Sequence, residues 1–311
     1  MPETRPTDRL DALGVAVAVF CCALWGGNAV AARFAIPDIP PIASSAMRFA
    51  LGVPIIGLFC VWAKEPLWPA RKYLPLLMLH SILASLQIGA FNWGTGHGEA
   101  GRSSVYINIH PLVVAPLAWA VLGERLGVRG IFGLASAVAG VAVLLSEPLR
   151  RGGGMTGDAV VLLAGLVFGV QTIAQKLTFP VIPPTTLLFS QSVLAVPLSA
   201  AASLAFERGD SYTFSSTAVW AVVYQGLAVS GLCFTLWMLL LRRYPAGRLA
   251  TLAFLTPLFG VALGHLLRGE PLTAALMAGG ALVGLGIYLV ASDRTAHHQP
   301  ADIGLPGEDA P

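Results

Sequence analysis

The most regular feature of the chain is the spacing of its long apolar runs. A helix needs about 20 apolar residues to cross a bilayer, and ten such stretches can be marked: 13–32, 41–62, 73–93, 103–122, 130–146, 159–175, 185–205, 217–241, 249–267 and 272–291. Helix breakers and charges sit between them, as in Pro37-Asp38-Ile39-Pro40-Pro41, Lys64-Glu65-Pro66 and Arg150-Arg151-Gly152-Gly153-Gly154. Most connections are short, leaving no room for an extramembrane domain. The pattern predicts an all-α polytopic membrane protein of ten transmembrane helices.

The pattern also repeats. Residues 100–146 align without gaps to 246–292, an offset of 146, with 13 of 47 positions identical. The matches include Ala100-Gly101-Arg102 with Ala246-Gly247-Arg248, Pro111 with Pro257, and Gly123-Glu124 with Gly269-Glu270. Gly133 and Gly140 match Gly279 and Gly286. The opening helices align at an offset of 143, where Gly26 meets Gly169, Pro37 meets Pro180, Pro40-Pro41 meets Pro183-Pro184 and Pro54 meets Pro197. Each half holds five helices. Because five is odd, the second half enters the membrane from the opposite side, so the halves are expected to be inverted repeats around a central cavity, as in secondary transporters. The expected organisation is an N-terminal tail over 1–12, a first repeat over 13–146, a linker over 147–158, a second repeat over 159–292 and a disordered, Pro-rich tail over 293–311. Ala29-Val30-Ala31 mimics a signal-peptide cleavage site, but its helix has a counterpart inside the chain and is read as a span.

Composition supports lipid as the solvent. Apolar residues make up 56% and charged residues 11%, where a soluble domain carries about 25%. The net charge of +3 and the scattered basic residues give no reason to expect a nucleic-acid partner. With the N-terminus inside, 12 Lys and Arg fall in inner loops and 6 in outer ones. Both termini are therefore predicted to be cytoplasmic. Arg outnumbers Lys 16 to 3, a bias that suggests a GC-rich bacterial genome. Cys21, Cys22, Cys60 and Cys233 show no metal-type spacing and read as buried hydrophobes. No metal, cofactor or enzyme motif is expected.

The run Ala100-Gly101-Arg102 to Pro111, Gly123-Glu124-Arg125-Leu126, Gly133 and Gly140, its repeat through Gly269-Glu270-Pro271-Leu272, and the opening Leu24-Trp25-Gly26-Gly27-Asn28 resemble the drug/metabolite transporter superfamily. The EamA type, with two tandem domains, fits best over residues 12–292, and bacterial amino-acid exporters of the YddG kind look most similar. The resemblance implies a ten-helix basket and export of metabolites across the bacterial inner membrane.

Polar groups inside a span usually face the bundle interior. Trp25 and Asn28, three apart, share a helix face. At the 143 offset they map to Phe168 and Gln171, with Gln175 one turn further. Each half thus presents an aromatic beside an amide, a pair of faces able to clasp a small zwitterion. The alternative is that Trp25 packs and the amides bond helix to helix. His80 and Gln87 share a face of the third span, Tyr106 lies on the fourth, and Tyr224, Ser230 and Trp237 run along the eighth. Pro111 and Pro257 are hinge candidates. Arg48, seven residues into the second span, reads as snorkelling or pairing. Glu124 and Glu270 read as loop anchors, with Arg125 and Arg268 as candidate partners.

All sixteen Asp and Glu fall in loops, tails or helix ends, which favours facilitated diffusion or exchange over proton coupling. The leading expectation is export of amino acids, aromatic or other neutral ones, or similar small metabolites. Efflux of lipophilic cations or drugs is the alternative, and an intramembrane enzyme or receptor a third. The expected partners are a small-molecule substrate and membrane lipids. The oligomeric state stays open, with a monomer plausible.

Overall fold

A computed structural model describes residues 11–122, 127–150, 155–243, 252–253 and 255–291. Among these residues the regular structure is entirely helical. Hydrocarbon offers a backbone amide no partner, so a spanning segment must satisfy its own polar groups, and a helix does so within one strand of chain. In chain order the helices are α1 (Ala12–Ala35), α2 (Pro41–Trp62), α3 (Leu74–Gly96), α4 (Ala100–Ile107), α5 (Pro111–Leu122), α6 (Val128–Arg150), α7 (Thr156–Thr178), α8 (Pro184–Phe206), α9 (Ser216–Val223), α10 (Phe234–Arg243), α11 (Leu255–Arg268) and α12 (Ala274–Ala291). A π-helical segment, Tyr224–Cys233, joins α9 to α10.

Among the described residues, eight helices or helix runs are long and apolar enough to cross a membrane. Two shorter apolar helices, Leu255–Arg268 and Ala274–Val290, lie where the sequence pattern marks its ninth and tenth spans. The protein is thus a multi-pass membrane protein. Large side chains such as Leu58, Trp119, Phe132, Phe206, Trp220 and Leu266 are exposed on its outside, as lipid-facing positions require. The expected single helix over 103–122 is broken: α4 ends at Ile107, and Pro111 opens α5. Pro111 has no N–H to donate, so it suits a first helical position. Pro257 lies in the first turn of α11. Glu124, Arg125 and the C-terminal tail lie outside the described residues.

The helix contacts keep their pattern when the two halves are exchanged. α2 packs on α8, α6 on α12 and α4 on α11. α1 packs on α9, the π segment and α11, while α7 packs on α3, α4 and α5. α6 and α12 approach each other closely. A Cβ on Gly140 would lie 2.6 Å from the carbonyl oxygen of Gly279, and one on Gly133 would lie 2.7 Å from that of Gly286. The reciprocal distances are 2.8 Å from Gly279 and 2.6 Å from Gly286. Only glycine allows the two backbones to meet so closely, and lipid-embedded helices gain their association from such packing.

Replacing Gly140 or Gly279 with Leu is expected to push these backbones apart. Overpacking of this kind costs about 1–3 kcal/mol, so both variants should melt at lower temperature in detergent than wild type, by similar amounts. Unchanged melting curves would show that the pair is not a tight contact.

Candidate functional site

A polar cluster lies between α1, α2 and the π segment. Arg48 donates from Nε to Ser230 Oγ at 2.7 Å and from Nη1 to Asn28 Oδ1 at 3.0 Å. Gln225 donates from Nε2 to the same Asn28 oxygen at 3.3 Å. Tyr224 donates its hydroxyl to the Leu24 carbonyl at 2.6 Å. Arg48 is only 4% exposed. Of the two readings of Arg48, the inward one describes it and snorkelling does not: its side chain turns to neutral acceptors inside the bundle.

Small residues make this reach possible. A Cβ on Gly52 would lie 3.0 Å from Ser230 Cβ, and one on Gly27 would lie 2.6 Å from Tyr224 Oη. α2 and α1 therefore sit close against the π segment. An extra residue per turn re-aims side chains, and such segments are frequent at functional sites. A charge at a helix centre costs about 2.5–3.5 kcal/mol on the insertion scale. Two hydrogen bonds from a charged donor, at about 1.5–3 kcal/mol each, are large enough to offset that cost. They leave the charge itself unneutralised. Arg102 pairs with Glu99 and Asp158 within 4 Å, whereas no described carboxylate is paired with Arg48.

One helical turn from Asn28, aromatic rings gather. Trp25 meets Trp237 edge-on with centroids 4.9 Å apart, and Phe234 at 5.5 Å. Of the residues singled out from sequence, Trp25, Asn28, Arg48, Tyr224, Ser230 and Trp237 are thus brought together, with Gln225 and Phe234 beside them. Arg48 and Gln225 were not among the cavity candidates. The signal for Arg48 was present, a full charge inside an apolar run, but its direction was not.

The corresponding part of the second half is less charged. At the 143 offset Arg48 maps to Gln191 and Asn28 to Gln171. Gln175 donates to Gln191 at 3.4 Å. Gln171 is buried, and its Oε1 has no donor. Phe168 lies against His110 with ring centroids 4.4 Å apart. His80 is fully buried and shares a 2.9 Å hydrogen bond with Thr178, the last residue of α7. Gln87 is half-buried on α3, two turns from His80. Tyr106 is buried in the apolar core with Val105, Val161 and Ala164.

Carboxylates clasp one end of the bundle. Glu207 accepts from the Ile42 and Ala43 amides at 2.7 and 3.0 Å, capping α2. Glu270 accepts from Ala100 and Gly101, each at 2.8 Å, capping α4. The partner of Glu270 is therefore a helix N-terminus, where an anion is favoured, rather than the expected arginine. At the same end Ser215 bonds Asp38, and Arg33 bonds the Gly96 carbonyl. The four cysteines are buried, and no disulfide joins them. Among the described residues, no three His, Cys, Asp or Glu side chains are grouped to hold a metal ion.

Comparison with known proteins decides the family, since the EamA-like transporter family model matches residues 12–146 and again 155–292. The chain belongs to the EamA-like transporter family. Among EamA relatives it is 27% identical to a probable amino-acid metabolite efflux pump of Salmonella typhimurium, over 88% of this chain and 93% of the relative. It is 24% identical to the uncharacterized transporter YoaV of Bacillus subtilis, over 86% of this chain and 92% of that one. It is also 28% identical to a probable terminal-alkyne amino-acid exporter of Streptantibioticus cattleyicolor, over 71% and 74%. A solved crystal structure matches with a TM-score of 0.66 at 18% identity, covering 89% of this chain and 96% of the other. At that identity the likeness speaks for the fold alone.

Asn28→Ala removes the shared acceptor of Arg48 and Gln225. Leaving buried donors unpaired costs about 1–3 kcal/mol, so this EamA transporter should melt measurably lower in detergent. An unchanged melting temperature would mean that the amide oxygen does not organise the cluster.

Proposed function

We propose that this protein exports amino acids, neutral and aromatic ones among them, or similar small metabolites across a bacterial inner membrane. In this reading ten spans form two inverted five-helix repeats, both termini are cytoplasmic, and transport proceeds by alternating access without proton coupling. The observation that carries it is the polar cluster of Asn28, Arg48, Gln225 and Ser230 beside the Trp25, Phe234 and Trp237 rings. It joins helices of the first half to helices of the second, and it offers hydrogen-bonding groups next to a surface for an apolar side chain. The names of the Salmonella and Streptantibioticus relatives support the same substrate class.

Exchange-symmetric helix contacts support inverted repeats, whose two equivalent packings supply the two access states. With the sequence-based orientation, the end clasped by Glu207, Glu270 and the Asp38–Ser215 bond is the outer one. This conformer then corresponds to the state closed to the outside. Efflux of lipophilic cations is disfavoured by Arg48, because a guanidinium with only neutral partners repels a cation nearby.

Purified protein in liposomes should carry out counterflow of several neutral amino acids and none of a cationic dye. Trp25→Ala and Gln171→Ala should each slow it at least several-fold at normal expression. Dye transport without amino-acid transport would reverse the assignment, and wild-type rates in both variants would remove those residues from the path.

A pH gradient imposed without a solute gradient should drive no net uptake. Among the described spans no Asp or Glu lies in the middle of a helix, which leaves His80 as the candidate proton coupler. Net uptake driven by the pH gradient alone would sink the uncoupled reading, and its loss in His80→Ala would name that residue as the coupler.

A further inference from the structure

Arg48 is a full charge on the eighth residue of α2, about 10 Å along the helix from its Pro41 end at 1.5 Å per residue. Its hydrogen bonds go to a hydroxyl and an amide, and no described carboxylate lies within ion-pair reach. A guanidinium has five N–H donors. The bonds to Ser230 and Asn28 use two of them, leaving enough for a two-pronged hold on a carboxylate.

The other half of the molecule bears on whether this charge is needed for helix packing. The counterpart of Arg48 at the 143 offset is Gln191, on α8. Gln191 is likewise buried, and it is likewise tied to the first helix of its own half, through Gln175. A neutral amide therefore serves the contact between the first and second helices in one half. The positive charge in the other half is surplus to that task. Intramembrane charges of this kind mark solute and ion pathways. The same cluster holds Gln225, whose amide nitrogen bonds Asn28 while its Oε1 is buried without a donor. A guanidinium beside an unsatisfied acceptor suits a solute carrying a carboxylate next to a hydrogen-bond donor.

We propose that Arg48 is the carboxylate-binding residue of the transport path, so that the protein selects solutes by an anionic carboxylate. The proposal rests on the transport reading above and narrows its substrate class. Asn28 and Ser230 hold the guanidinium in place. The Trp25, Phe234 and Trp237 rings lie along the same helices, one turn from Asn28, and take the remainder of the solute.

The test uses the full chain in liposomes and three probes of one skeleton: phenylalanine, phenylalaninamide, and phenyllactate, which keeps the carboxylate but lacks the amino group. Wild type should prefer phenylalanine over its amide by at least tenfold in KM. In Arg48→Gln that ratio should fall to within about twofold, a change that general loss of stability would not produce. Asn28→Asp should place a resident carboxylate against Arg48. It should then raise the melting temperature while cutting transport of both acids at least tenfold, whereas a mere helix staple would leave transport intact. If Arg48→Gln does not reach the membrane, the wild-type competition and Asn28→Asp decide.

Equal acceptance of the acid and its amide by wild type overturns the proposal. A wild-type ratio retained in Arg48→Gln does the same, as does full transport by a stabilised Asn28→Asp. Transport of phenyllactate but of no amino acid, with the preference erased in Arg48→Gln, would refute amino-acid export and keep the carboxylate site. Transport of amino acids no better than their amides would do the reverse. Transport of no carboxylate at all would overturn both.

Discussion

Hydrocarbon offers neither a backbone N–H nor a guanidinium anything to bond with, and the arrangement of this bundle follows from that constraint. Polar groups inside the spans turn toward one another. Arg48 reaches Ser230 and Asn28, His80 reaches Thr178, and Gln175 reaches Gln191. Helix ends are treated the same way, with Glu207 and Glu270 supplying acceptors to the first amides of α2 and α4 from distant parts of the chain. Each such bond crosses between helices, so satisfying polar groups and assembling the bundle are one process.

Apolar packing has a different task, because lipid tails are as apolar as leucine and give no net drive to bury it. Close contact must supply the attraction. The α6–α12 crossing shows how, with Gly133, Gly140, Gly279 and Gly286 letting backbone carbonyls stand where side chains would be. Gly26, Gly27 and Gly52 bring α1 and α2 against α11 and the π segment in the same manner. Without that approach the Arg48 side chain would not meet Ser230.

The two halves share a frame but differ in charge at matching positions. Arg48 and Gln191 occupy equivalent places, and each bonds the first helix of its own half. One carries a charge and the other does not, so the bundle interior is polarised while its framework stays even-handed.

The chain's apolar runs, breakers and internal match determined the helical class, most helix positions and the family, because in lipid the length and composition of a segment nearly dictate its structure. Of the expected aromatic-amide pairs, Trp25 and Asn28 lie beside Tyr224 and Trp237 of the eighth span, whereas Phe168 lies against His110. Sequence could not say which way Arg48 turns, since a residue seven positions into a helix reaches either the interface or the interior. Nor could it say that Glu270 caps α4, that the fourth span breaks after Ile107, or that the eighth takes a π turn beside Asn28. Those outcomes depend on which helix lies opposite, and local spacing carries no record of a neighbour some two hundred residues away.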